Sequence, residues 1–215
     1  MSVQTDERTL TTDRRQPDDV IPLRRRSIDK VLIGFGLIAA VVFAVAGGLL
    51  TWGANFANDY VHDELSSQNV FFPDEASLTE EGRDDLVKFA DEQVTSGDEA
   101  QAYASYIGGH LEGIADGRTY AEIDDRGAAA AVVEARESGA SEAEIAELQA
   151  TADELKGQRD SLFRGETLRG LLLSSYAWST IGRIAGIAAL VAFAGAAVMA
   201  TLTVAGVVHV RRTQA

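Results

Sequence analysis

Hydrophobic and polar positions are segregated along this chain rather than interleaved. Residues 31–53 read VLIGFGLIAAVVFAVAGGLLTWG, 23 positions without a charge. As a helix this segment is about 35 Å long, more than the roughly 30 Å hydrocarbon core of a bilayer. A second block, Ile184 to Val210, is longer and uncharged apart from His209. Backbone amides immersed in lipid must pair within their own segment, so each block is expected to be a transmembrane helix. A cleaved signal peptide is the alternative for the first, because Arg24, Arg25, Arg26 and Lys30 lead into it and Ala44-Val45-Ala46 has the small-x-small form. Signal cores run about 7–15 apolar residues, whereas this run continues to Trp52, so an uncleaved anchor is expected.

Between the blocks the period is helical. Ser77-Leu78-Thr79-Glu80 fits a capping box, and Leu86, Phe89, Ala90 and Val94 follow, predicting a helix of about four turns before Gly97. Tyr103, Tyr106, Ile107, His110, Leu111 and Ile114 share one face of a second helix, from about Asp98 to Asp116, ended by Gly117. Thr119-x-x-Glu122 opens a third, containing Ala128 to Val133 and stopping near Gly139. Ser141-x-x-Glu144 opens a fourth, with Ile145, Leu148, Ala152 and Leu155 at helical spacing. No proline follows Pro73, so this last helix can run on into the second span. No β-branched alternation marks a strand. The expected fold is all-α: two transmembrane helices with an intervening small helical bundle, the last helix continuous with the second span. Residues 1–30, with Pro17, Pro22 and no apolar period, are expected to be a disordered tail with a basic flank.

Charge sets the orientation. The whole chain has 19 basic and 33 acidic residues, a net −14. Residues 1–30 carry 7 basic and 6 acidic groups, residues 54–182 carry 9 and 27, and residues 183–215 carry 3 and none. The sizeable polar region is therefore anionic and would repel phosphate, which disfavours nucleic acid as a partner. Arg24, Arg25, Arg26 and Lys30 before the first span and Arg211 and Arg212 after the second place both termini in the cytoplasm by the positive-inside rule. The expected organisation is a cytoplasmic tail (1–30), a span (31–53), an acidic extracytoplasmic helical domain (54–182), a second span (183–210) and a short tail (211–215). Trp52, Tyr176 and Trp178 suit an outer aromatic belt, and Arg183 can snorkel to the same level. With no cysteine, the exported region has no disulfide and holds together by packing or by partners.

Small residues suggest how the spans meet. Ala188, Ala192, Ala196 and Ala200 recur every four positions in the second span, and Ala40, Ala44 and Gly48 do so in the first; such faces permit close helix approach in lipid. Gly182 and Gly186 also satisfy GxxxG, at the membrane edge beside Arg183. In Ser161 to Leu173, Arg164 and Arg169 can pair with Glu166 while the leucines enter the interface and fix the height of the span.

Candidate chemistry is sparse. Asp59-Tyr60-Val61-His62-Asp63-Glu64 together with His110 offers two imidazoles and a carboxylate, the minimum for a metal centre, but without recognisable ligand spacing. Acidic pairs such as Asp84-Asp85, Asp98-Glu99 and Asp124-Asp125 lack EF-hand spacing and read as solvated faces. No nucleophile triad, P-loop or dinucleotide fingerprint occurs in a fitting context.

The segments LFRGETLRGLLLSSYAW with an Ala-rich span and HVRR, and YIGGHLEGIADGRTYAEID upstream, resemble a group of uncharacterised two-span actinobacterial membrane proteins often mislabelled as ring-opening dioxygenase-like. The resemblance covers roughly residues 25–215 and implies topology rather than chemistry. The expectation is a non-enzymatic accessory or scaffolding protein of the cell envelope, without a cofactor. Its expected partners are membrane lipids and either other membrane proteins or itself. The competing readings are a metal-dependent extracytoplasmic enzyme using His62 and His110, and a homo-oligomeric pore. The pore lacks a polar face on either span to line water.

Overall fold

The computed structural model describes residues 25–212, with side chains described from residue 27. Five α-helices appear in this span: α1 (Arg25–Gln68), α2 (Glu75–Glu80), α3 (Gly97–Ile114), α4 (Asp125–Glu137) and α5 (Glu142–Arg212). Short 3₁₀ helices at Asp84–Phe89, two turns, and Tyr120–Glu122, one turn, lie in the connections. The fold is all-α; among the described residues there is an isolated antiparallel bridge, Phe71 with Gln93, and no sheet. The helices α1 and α5 are each long and apolar enough to cross a membrane. Only 11% of each apolar window is buried by the rest of the chain, unlike the core helix of a soluble protein.

Helix α5 is continuous for 71 residues, from a start where Ser141 Oγ accepts the Glu144 N–H at 3.3 Å to Arg212. Nothing in its sequence removes a backbone donor, which lets the helix continue without a break. Helix α1 begins at Arg25, so residues 25–30 are helical rather than part of the expected disordered tail. It also continues 15 residues past the expected end of the span at residue 53. Residues 1–24, with Arg24 among them, and the side chains of Arg25 and Arg26 lie outside the described residues.

The connections differ from the sequence reading at two places. Helix α2 is capped by Asp74, whose carboxylate accepts the Ser77 N–H at 2.8 Å, three residues before the expected Ser77 cap. It stops at Glu80 because Gly82 takes φ +70°, a conformation that breaks the helix and favours glycine. The predicted four-turn helix is therefore two short pieces, and Val94 lies in extended chain with its N–H donated to Val70 O at 2.9 Å. Likewise the Thr119–Glu122 box caps only the 3₁₀ turn Tyr120–Glu122; α4 starts later on Asp124, which accepts the Gly127 N–H at 2.8 Å. Helix α3 follows the prediction closely, with a capping box from Ser96 and Glu99 and an end at Asp116 and Gly117, both at positive φ.

The described residues form two compact units, one of α1 up to Val42 with α5 from Ala196, the other Phe43–Gly195. The core of the second holds Val61, Leu65, Phe72, Val94, Ala100, Ala104 and Leu172 in one cluster, with Leu111, Ala115, Ile123 and Leu162 in another. Leu78, Ile123 and Val94 are almost wholly buried side chains.

Candidate interaction surface

Within each unit, α1 and α5 run antiparallel. In the first unit Ile33 meets Gly206 and Gly36 meets Thr203. In the second Phe43 meets Gly195, Gly47 meets Phe193, Ala54 meets Gly186 and Ala57 meets Gly182. Within the second unit the α1 positions 43, 47, 54 and 57, continued by buried Val61 and Leu65, are separated by three, four or seven residues, the 3.5-residue period of coiled-coil packing, whereas their partners on α5 are less evenly spaced. Each contact sets a glycine or alanine against a neighbour, so the backbones approach closely.

This period explains where the expected small-residue ladders lie. A ladder of every fourth residue turns about 40° per step on a 3.6-residue helix, so it drifts off any fixed contact. Ala192 is buried, Ala188 and Ala196 are half-buried, and Ala200 is exposed. On α1, Ala40 is half-buried while Ala44 and Gly48 are exposed; the glycine that meets the opposite helix is Gly47. The 3-4 spacing of glycines and large residues was present in the sequence, but the uniform alanine ladder was the more conspicuous signal.

Arginines tie the connecting elements to one another and to α5. Arg169 donates through Nε to Ala104 O of α3 at 3.2 Å while its guanidinium pairs with Glu166 at 2.7 Å. Arg159 donates to Ile123 O at 3.0 Å and to Asp125 at 2.7 Å, and lies 4.3 Å above the Tyr120 ring. Arg183 forms a two-oxygen pair with Asp98 in the first turn of α3, at 2.8 and 2.9 Å. Arg83 clamps Asp85 and the backbone and hydroxyl of Ser105, and the Arg83 guanidinium holds the Asp85 carboxyl below its ordinary range. Arg164, by contrast, is exposed. Among the interface anchors, Trp52 and Trp178 are exposed and Tyr176 is half-buried; Arg211 and Arg212 end α5.

The side of α1 and α5 turned away from this packing is apolar over an unusual length. Between Lys30 and Asp59 α1 has 28 uncharged residues, and between Arg183 and Arg211 α5 has 27, each about 40 Å of helix and already more than hydrocarbon requires. Leu171 and Leu168 lie 12 and 15 residues before Arg183, about 18 and 22 Å farther along the same helix. Leu171 is nevertheless 63% exposed, with Trp178, Leu168 and Phe163 also exposed. On α1 the rings of Trp52, Phe56 and Tyr60 stack at 5.8 and 6.3 Å along an exposed edge. A groove of about 330 Å³ lies between the helices here, with Tyr60, Glu64 and Gln68 on one wall and Leu168, Leu171 and Trp178 on the other.

His62 and His110 stand on different helices. His62 is exposed on α1. His110, on α3, stacks edge-on against Tyr106 at 4.6 Å, with Nε2 3.7 Å from Glu81 Oε1. Tyr106 donates its hydroxyl to the same Glu81 oxygen at 3.4 Å, and burial together with that carboxylate raises the phenol pKa. Among the described residues no group of three His, Cys, Asp or Glu side chains is arranged to hold a metal ion, so the His62 and His110 centre lacks a ligand set. Compared with protein-family models, curated proteins and solved structures, the chain finds no match in any of the three.

Proposed function

We propose that this protein is a non-enzymatic accessory or scaffolding component of the cell envelope. Both termini lie in the cytoplasm and residues 54–182 lie outside; the protein works by docking on a larger membrane complex. The observation that carries this reading is the exposed apolar face at Tyr60, Leu168, Leu171 and Trp178, which continues past the length that lipid can cover. Large apolar side chains held in water on a rigid helix mark an interaction surface. The orientation is supported by the basic residues at the outer ends of both apolar blocks and the anionic stretch between them.

The test is extraction of the tagged full chain from its native membrane in mild detergent, with and without prior crosslinking. A stoichiometric protein partner is expected in the membrane fraction. Recovery as an isolated monomer under both conditions, or release of the chain by alkaline washing of vesicles, overturns the reading.

A further inference from the structure

We infer that the groove between α1 and α5 receives a helix of another membrane protein, apolar on its docking face and carrying a Lys or Arg level with Glu64. The inference rests on the docking role proposed above and names the chemistry of the partner. Its first support is shape. Leu168, Leu171 and Trp178, separated by three and seven residues, form one wall on α5, and Tyr60, Glu64 and Gln68 form the facing wall over two turns of α1. Two antiparallel helices bounding such a groove form the holes into which the knobs of a third helix fit. The groove also starts within two turns of Arg183, so its occupant must be held close to the membrane.

The second support is charge, and it decides between occupants. Glu64 lines the groove, and its backbone carbonyl accepts from Ser67, but among the described residues no ion pair or side-chain hydrogen bond engages its carboxylate. Covering the groove removes water from that carboxylate, which is costly unless the incoming surface donates to it. Asp59 and Asp63 stand on the same turns of α1 and deepen the negative potential. Near this level the facing stretch of α5, residues 170–182, is uncharged; Arg169 is engaged by Glu166 and Ala104, and Arg183 by Asp98.

A second copy, held by its own spans at the same height, would bring another Glu64, Asp59 and Asp63 against the first set; at that level it offers no Lys or Arg, since its exposed Arg164 lies beyond the groove and only His62 stands nearby. Lipid acyl chains supply no donor at all. A basic, apolar-faced helix satisfies both walls. It also complements a region carrying 27 acidic against 9 basic residues.

The experiment uses the full chain in its native membrane, with a photo-crosslinking phenylalanine analogue in place of Leu171, and maps the adduct by peptide mass spectrometry. The expected adduct lies on a helix of another membrane protein, with a Lys or Arg within one turn. Its yield should fall at least tenfold in Glu64→Lys and survive in Glu80→Lys, an exposed acid outside the groove. The same probe at Leu173, exposed on a different side of α5, should not give this adduct. An adduct on a second copy, on lipid alone, or on a helix without a nearby cation overturns the groove assignment. So does a yield indifferent to Glu64→Lys. In those cases protein adducts from probes at Phe163 or Val133, both exposed, would leave the docking role standing; absence of any protein adduct from all three positions removes both.

Discussion

Gly182 of α5 rests against Ala57 of α1. A Cβ at Gly182 would lie 3.1 Å from the Ala57 Cβ and 3.3 Å from the Ala54 carbonyl oxygen, both on a helix that cannot swing aside as a long side chain would. Four residues on, a Cβ at Gly186 would lie 3.8 Å from Ala54, an ordinary contact. Gly182→Ala is therefore expected to destabilise the pairing of the helices by about 1–3 kcal/mol through overpacking. Gly186→Ala gains helix propensity and a contact and should be neutral or mildly stabilising. Thermal unfolding of both variants in one detergent checks this, and equal shifts would contradict the packing.

Leu171 and Leu172 divide the same turn of α5 between two roles. Leu172 is 6% exposed in the core with Val61, Leu65 and Phe72, while Leu171 is 63% exposed. Leu172→Ala should cost about 2–5 kcal/mol by leaving a cavity. Leu171→Ala should change stability by no more than about 0.5 kcal/mol. Urea unfolding of the full chain in detergent, followed by circular dichroism, separates them. Comparable losses would mean that Leu171 is buried in the folded monomer and is unavailable to a partner.

The main features of the fold were legible in the sequence because they depend on long, uniform stretches. Two charge-free blocks announced the spans, and the absence of proline after Pro73 permitted the unbroken α5. The Tyr103 to Ile114 stripe located α3. Features set by one residue in competition with another were less legible. Asp74 took the cap that Ser77 offered, and Gly82 ended a helix that the apolar spacing of Leu86 and Phe89 would have continued. The contact surface was harder still. Phase on a helix is decided by which residues the opposite helix can approach, so Gly47 and Gly182 mattered more than the evenly spaced alanines. The open groove at Glu64 had no local signature, since its walls come from residues about 100 positions apart.

Acid should weaken the helical region between the two apolar blocks through its caps. Hydrogen bonds from the Ser77 backbone to Asp74 and from the Thr119 backbone to Glu122 lower both carboxyl pKa values beneath their ordinary 3.8 and 4.5. A depressed folded-state pKa contributes stability that is present above the unfolded value and lost as pH falls through the folded one. These caps thus contribute fully above about pH 5 and fade below about pH 4. Relief of repulsion among the many carboxylates acts the other way on mild acidification. The test is the difference between the parent chain and the Asp74→Asn, Glu122→Gln double variant. The parent should be the more stable at pH 7, and the gap should narrow as pH falls below the ordinary 3.8 and 4.5 and through the lower folded-state values. A gap that stays constant with pH would show that the carboxylate charge at these caps is irrelevant.

Orientation in the membrane can be tested cleanly because the native chain has no thiol. Ser141 is exposed just before α5 begins, and Gln214 follows the Arg211-Arg212 pair. Cationic side chains resist translocation and acidic ones hardly affect it, so the basic pair should hold residue 214 inside while the acidic stretch crosses. A membrane-impermeant maleimide added to intact cells is therefore expected to label Ser141→Cys and to spare Gln214→Cys until the membrane is opened. Labelling of both in intact cells would mean that α5 does not cross. The reversed pattern would place Leu171, Trp178 and Glu64 in the cytoplasm, and the basic helix they are proposed to receive would then have to approach from that side.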